Sequence, residues 1–430
     1  MSTEINSYAK RYNFDYKAII TRALIIHHGS IPTLKSYEVI KDAKNLKELF
    51  LEKLFVSRFS GKYIASLLKS LVNFLIFRLC LRKFHQNRLT FVVHHEKFIK
   101  YINESGIFDD KKLNWILLDN IKLPQKNSIK DNYLRFRNIN FSLPRKCFIL
   151  NYCEKSYESF LFFLDRVRPS TVFVLEGDAP YHIQVSNACN TLGIRNFCFQ
   201  WGLIHTTAAK TRFSNMNFTG FLTWGNFFTD QLVPYNSRQK FYDLGHLNFS
   251  ITKSSGHSII FLDQGSNNPQ IDQSHFQEYH KIILKFCQNT DYKIIVRPHP
   301  NHDLCEVLKE NLIQYGVEIS DKKTSLSHDL SLSKVAVSIM SSSLLDASIN
   351  GIIPVSFRYD QMEEYPFPLN QLKIGLESSC SSKIFKFINL IMSQPTLYKE
   401  YRERLFKSIK TLFSYNTLSQ RKCFLSELLN

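Results

Sequence analysis

The sequence predicts an α/β protein made of two doubly wound halves, and three observations predict it. From residue 89 onward, apolar runs of four or five residues alternate with longer stretches of helical periodicity. The alternation is interrupted once, at residues 250–257, by a polar, serine-rich segment without acidic residues that reads as a linker. The residues with chemical potential gather where the apolar runs end, which is where an open α/β sheet binds its ligand. Short runs separated by helices are buried on both faces, so the sheets are expected to be parallel. A chain of 430 residues is long enough for two cores of ordinary size.

Residues 1–85 read as a mainly helical extension, with one candidate strand at residues 24–26. Residues 63–84 form its most apolar stretch, but Lys69, Arg78, Arg82 and Lys83 interrupt it, so it is too charged to span a bilayer. It reads as a domain helix, or as an interfacial helix lying on anionic lipid.

In the first half, residues 86–250, strands are expected at 89–93, 115–118, 147–150, 171–175, 196–199 and 220–224, with helices at 156–167 and 182–192. In the second half, residues 258–394, strands are expected at 258–262, 293–296, 317–319, 335–339 and 352–357. Phe276, Tyr279, Ile283, Phe286 and Cys287 mark one face of a helix. Further helices fit residues 302–314, 342–350 and 384–392. Residues 395–430 read as closing helices that pack back across the cleft between the halves.

Composition narrows the function classes. The net charge of +18 allows nucleic acid, an anionic membrane surface or anionic substrates as partners. No zinc-finger spacing, RNP-like aromatic motif or helix-turn-helix signature is present, which argues against nucleic acid. The nine cysteines are an odd number without a C-x-x-C pair, and residues 1–16 are too polar for a signal peptide. Both features predict free thiols in a reducing cytoplasm. No P-loop, G-x-G-x-x-G or Asp-x-Asp signature occurs, and the pairs His27-His28 and His94-His95 lack metal-ligand spacing, so neither a metal nor a bound cofactor is expected.

Five strand ends carry the candidate chemistry. Arg297-Pro298-His299-Pro300 closes the run at 293–296, and the two prolines hold His299 in an extended backbone beside a cation. Ser341-Ser342-Ser343 follows the run at 335–339 and opens the helix expected at 342–350, where hydroxyls and free amides suit a phosphate. Together they read as a nucleotide-phosphate site with His299 as hydrogen-bond or proton donor. Glu176-Gly177-Asp178 follows the run at 171–175 and offers a general base for an acceptor hydroxyl. Asp263-Gln264 follows the run at 258–262, where Asp263 suits a nucleophile or a positioning group. Gln200-Trp201-Gly202 ends the run at 196–199, with a glycine for loop closure and an indole for stacking on a sugar or a base. A capping role is the plainer alternative for the serines and Asp178, a turn for Asp263 and His299, and core packing for the indole.

The Arg297–Pro300 and Ser341–Ser343 pair resembles the HP and serine motifs of bacterial GT-B glycosyltransferases that use CMP-activated sugars. These are the sialyltransferases, polysialyltransferases and β-Kdo transferases of capsule and lipopolysaccharide assembly. Glu176-Gly177-Asp178 is similar to their acidic motif in a different order, and Asp263-Gln264 resembles an aspartate-glutamine pair of the capsule Kdo transferases. The resemblance implies two Rossmann-like domains facing across a cleft. It implies metal-free transfer of Kdo or a sialic-acid-like sugar from a CMP donor to a glycan or lipid-linked acceptor, at the inner face of the cytoplasmic membrane. It assigns the nucleotide to Arg297, His299, Pro300, Ser341, Ser342 and Ser343. Asp263 becomes a candidate nucleophile and Glu176 or Asp178 a candidate base. The HP-plus-serine pattern also occurs in CDP-polyol phosphotransferases. UDP- or GDP-dependent transfer and non-catalytic polysaccharide or lipid binding remain alternatives.

Overall fold

A computed structural model describes residues 88–430 apart from 94–95, 119–131, 136–147, 178–179, 205–208, 210–212, 248–255, 266–272, 300–302, 322, 340, 359–365 and 416. The expected N-terminal extension, with its candidate strand and interfacial helix, lies outside the described residues, as do Asp178 and Pro300.

The first half runs β1 (Leu89–Val93), α1 (Glu96–Ser105), β2 (Asn114–Leu117), β3 (Asn132–Arg135), α2 (Phe148–Val167), β4 (Thr171–Leu175), α3 (Pro180–Leu192), β5 (Arg195–Phe199), β6 (Gly220–Thr223), α4 (Asn226–Leu232) and β7 (Phe241–Asp243). The second runs β8 (Ser258–Leu262), α5 (Gln273–Asn289), β9 (Ile294–Arg297), α6 (Glu306–Gln314), β10 (Glu318–Ile319), α7 (Leu326–Ser331), β11 (Ser333–Ser338), α8 (Ser343–Ile349), β12 (Ile353–Phe357), α9 (Leu369–Leu372), β13 (Leu376–Ser378) and α10 (Ser381–Ser393). Helices α11 (Pro395–Leu412) and α12 (Leu418–Leu429) follow.

The strands form two all-parallel sheets, ordered β3-β2-β1-β4-β5-β6-β7 and β10-β9-β8-β11-β12-β13. Each sheet reverses its winding once, between β1 and β4 and between β8 and β11. Those reversals are the switch points at which crevices open above the strand ends. Register explains the first core. Phe91 pairs with Trp115 and Phe173 across in-register strands, so their rings project from the same face and stack at 4.8 and 5.0 Å. The alternate residues Val92, Ile116, Val172 and Val174 fill the opposite face.

One strand expectation fails. The apolar run at 147–150 predicts a strand, but Phe148 to Leu150 open the 20-residue helix α2. A four-residue apolar run does not distinguish a buried strand from a helix turn. Strands β3 and β7 occupy the two edges of the first sheet, and neither has an apolar run to mark it.

The two halves are stitched together by the closing helices. Helix α11 packs on α8 and β12 of the second half, and Arg402 and Phe406 cover Gly351. The chain then crosses to the first half, where the Ser414 amide donates to the Trp224 carbonyl at 2.9 Å. Two glycines make this crossing possible. A Cβ on Gly225 would lie 2.2 Å from the Leu412 carbonyl oxygen, and one on Gly245 2.0 Å from that of Ser414. Helix α12 completes the first core with Leu425, against which Phe424, Leu428 and Leu429 pack.

Candidate functional site

The strand ends of the two sheets meet. Gly202, past β5, faces Ser342, past β11, so closely that a Cβ on the glycine would lie 3.6 Å from the serine hydroxyl oxygen. Asp346 of α8 likewise acts electrostatically on Tyr101 of α1. The crevices at the two switch points therefore open toward each other.

On the first side, Glu176 ends β4 with φ of 81°, a left-handed conformation that costs a non-glycine residue energy. Its amide donates to the Phe199 carbonyl at 3.0 Å, which pins the turn. Gly177 continues the turn at φ 85°, packed so tightly that a Cβ would meet Cys198 Sγ at 2.7 Å. Lys97, in the first turn of α1, keeps much of its surface in water while its ammonium lies 5.1 Å from the Trp201 ring centre and 5.3 Å from that of Phe98. Crowding around that ammonium lowers its pKa, and Glu176 partly offsets the effect. Glu176, Lys97 and Trp201 thus share one corner of the crevice.

Trp201 stands edge-on to Phe98 and Tyr101 at 4.5 and 4.8 Å, so its ring is braced by α1 while remaining partly accessible. Gln200 is committed to its own half. Its Nε2 donates to the Gly202 carbonyl at 3.1 Å and its Oε1 accepts from the Trp224 amide at 3.1 Å. It shapes the loop that presents Gly202 rather than offering a free amide to a ligand.

On the second side, the Ser341 hydroxyl accepts from the Ser343 amide at 3.2 Å. Ser342 is exposed and makes no side-chain cap, and neither its hydroxyl nor that of Ser343 has a partner among the described residues. Asp346 lies one helical turn beyond them on the same face. Its carboxyl has no hydrogen-bond partner among the described residues, and burial pushes its pKa up to about 7 although part of the residue stays accessible. His299 is half-buried, two residues past the end of β9.

Two expected ligand contacts are occupied from within. The Arg297 guanidinium forms an ion pair with Asp329 through Nη1, which also donates to Ser320 Oγ at 3.3 Å, while Nη2 donates to the Thr324 carbonyl at 2.9 Å. It binds β10 and α7 together instead of reaching for a phosphate. Asp263 has a fully buried side chain whose Oδ2 accepts from the Gly265 amide at 2.8 Å, and whose Oδ1 lies 3.2 Å from His280 Nε2. With both oxygens engaged, it suits positioning of the loop and of His280, not nucleophilic attack. Gln264 donates to Ser338 Oγ at 3.4 Å and ties that loop to the end of β11.

Sequence reading missed Lys97, Tyr101, His280 and Asp346. Asp346 had a signal, since its spacing of three and four residues from Ser343 and Ser342 places all three on one helix face. The other three become visible only once α1 and α5 are docked. Among the described residues, no group of three or more His, Cys, Asp or Glu side chains is placed to hold a metal, and no helix is long and apolar enough to cross a membrane.

No family model matches the sequence, and no curated protein does. Solved structures do resemble the fold. The UDP-GlcNAc 2-epimerase from Neisseria meningitidis bound to UDP-GlcNAc aligns with a TM-score of 0.56 at 10% identity, over 79% of this chain and 99% of its own. A ugt transferase from Siraitia grosvenorii in complex with UDP aligns at 0.52 and 12%, over 80% and 99%. MurG from Acinetobacter baumannii aligns at 0.52 and 8%, over 80% and 99%. The resemblance to CMP-sugar enzymes is therefore corrected. The nucleotide ligands in these descriptions are UDP and UDP-GlcNAc, and the CMP donor, the Kdo or sialic-acid-like sugar and the capsule or lipopolysaccharide setting fall with it. The HP and serine motifs mark strand ends of a doubly wound sheet, a position many nucleotide enzymes share, and so do not single out CMP. At these identities the likeness speaks to fold alone: two Rossmann-like domains with their switch points turned together, the GT-B fold.

Proposed function

We propose that this chain is a glycosyltransferase that moves a sugar from a nucleoside diphosphate donor, with UDP as the first choice, to a glycan or lipid-linked acceptor. The observation that carries the reading is the meeting of the strand ends of the two sheets at Gly202 and Ser342. A donor lying on the serine loop would present its sugar to Glu176 across that gap. On the donor side, the Ser342 and Ser343 hydroxyls and His299 contact the diphosphate, and Asp346 accepts hydrogen bonds from ribose or sugar hydroxyls. On the acceptor side, Glu176 takes the proton of the attacking hydroxyl while Trp201 gives the incoming sugar a stacking face. The basic charge of the chain favours an acceptor with anionic groups, or an anionic membrane on which a lipid-linked acceptor sits.

A second reading is favoured by the alignment with the epimerase bound to UDP-GlcNAc. In it the same cleft acts on the sugar of a UDP-sugar without an acceptor. One experiment separates the readings. Thermal melting with UDP, CDP, GDP and UMP identifies the nucleotide, since a bound ligand raises Tm by mass action. NMR of the matching nucleotide sugar, incubated with and without glycan acceptors, then reads the reaction. Acceptor-dependent nucleotide release supports transfer, and acceptor-independent change at the sugar supports the second reading. No Tm shift with any nucleotide overturns both.

A further inference from the structure

Where the closing segment crosses back to the first half, three buried polar atoms have no hydrogen-bond partner among the described residues: Trp224 Nε1, His246 Nδ1 and Arg421 Nε. The Tyr101 hydroxyl beside them meets the Leu247 backbone and keeps its own proton to donate. Buried polar groups in native proteins are satisfied almost without exception, so three orphans in one place call for an occupant. The rings form one cluster. The His246 ring lies 4.9 Å from that of Trp224 and 5.9 Å from that of Tyr101. Arg421 acts electrostatically on both Tyr101 and His246. The four residues come from separate elements. Tyr101 lies on α1, Trp224 past β6, His246 past β7 and Arg421 on α12, with Phe413 stacked on Trp224 as a wall at 6.1 Å.

Charge sharpens the picture. Arg421 is only 3% exposed, and its one hydrogen bond among the described residues runs from Nη1 to the Tyr415 carbonyl at 3.0 Å. It makes no ion pair with any described carboxylate, and an uncompensated buried guanidinium is costly. Asp346 acts on Tyr101 from the second half but does not pair with Arg421. Burial, and then Arg421, hold His246 down to about 3, so its imidazole is neutral and adds no second charge. Trp224 Nε1 and Arg421 Nε can only donate, Tyr101 can donate, and neutral His246 can do so in one tautomer. A water molecule accepts two hydrogen bonds but carries no charge, so it leaves the Arg421 guanidinium uncompensated.

We propose that Tyr101, Trp224, His246 and Arg421 form a binding site for a small monovalent anion, of the halide or short-carboxylate class, which bridges the first half and α12. The anion accepts from the orphan donors and neutralises Arg421. It thereby couples the docking of α12 to the strand ends of the first sheet, independently of which sugar nucleotide the cleft takes.

The test is the Tm of the full chain at constant ionic strength as gluconate, a much bulkier anion, is replaced by chloride, bromide or formate. Expected is a Tm that rises with the logarithm of the small-anion concentration. Arg421→Met should abolish the rise. Tyr101→Phe, which removes one hydroxyl and leaves the packing, should raise the half-saturating concentration about tenfold. Crystals grown in bromide should show an anomalous peak among the four side chains. A wild-type Tm indifferent to the anion overturns the proposal, as does a bromide crystal without that peak. So does a folded Arg421→Met protein with the wild-type response. Should Arg421→Met fail to fold, an unchanged response in Tyr101→Phe has the same force.

Discussion

Arg297 and Asp329 form an ion pair with side chains only 11% and 4% exposed, and Ser320 Oγ donates to the same carboxylate oxygen at 2.6 Å. The pair joins the end of β9 to α7 at the mouth of the second crevice. Removing one partner leaves a buried charge uncompensated, whereas replacing both with apolar groups does not. Asp329→Ala should therefore cost about 3–5 kcal/mol in urea unfolding, and Arg297→Met with Asp329→Leu well under half of that. Nucleotide affinity in the double variant should stay near the wild-type value if the guanidinium serves the fold, and isothermal titration would show it.

Asp346 makes stability depend on pH. Its folded pKa, near 7, lies above the ordinary carboxylate value, so between the two the folded state binds more protons than the unfolded one. The sign follows: the stability contributed by Asp346 is fully present below about pH 4, is lost as pH rises toward 7 and changes no further above that. Asp346→Asn should remove this slope and stabilise the protein at pH 8 by about 2 kcal/mol, a figure reduced for the water that still reaches the group. Urea melts at pH 5 and pH 8 measure both effects.

Glu176 pays for its position with backbone strain of about 1–3 kcal/mol. Glu176→Gly should raise stability by about 1 kcal/mol while abolishing turnover. Glu176→Gln should leave Tm unchanged and lower kcat by about 10²–10⁴. Stability gained together with activity lost would mark a residue strained for its chemistry. An active Glu176→Gly protein would remove Glu176 from the mechanism.

At Gly202 the gap to Ser342 decides the outcome. A single methyl group would sit in ordinary contact, so Gly202→Ala should fold and work nearly as the wild type. Gly202→Leu would push a branched side chain into the serine loop and should lower nucleotide affinity at least about tenfold with little change in Tm. Titration of both variants with the identified nucleotide checks the contrast.

Gly225 and Gly245 should show the reverse, a loss of stability. Their would-be Cβ atoms meet backbone oxygens, which cannot swing aside as a flexible side chain can. Either glycine→alanine change should destabilise by about 3 kcal/mol or more and undock residues 412–429. Hydrogen exchange confined to α12 would report it.

The central strands were legible because they are apolar on both faces. Ser258–Leu262 and Thr171–Leu175 are recovered to the residue. The edge strands were not, since Asn132–Arg135 and Phe241–Asp243 have one neighbour each and no apolar run to betray them. At the site, position was more readable than role. Glu176, Asp263, Arg297, His299 and the three serines do lie at or just past the ends of β4, β8, β9 and β11. Whether a polar group is free or already taken depends on partners far away in sequence, such as Asp329 for Arg297 or Trp224 for Gln200.

The docking of α12 carries a consequence for biosynthesis. Leu425 is buried in the first half's core, and Arg195 bonds the Leu429 carbonyl across 234 residues of chain. Synthesis adds roughly 5–20 residues per second, so β5 waits on the order of tens of seconds for the partner that covers it. During that interval the second sheet can form on the ribosome, while the first exposes the apolar face reserved for α12. The half made earlier is thus finished later, because its core closes only when Leu425 arrives.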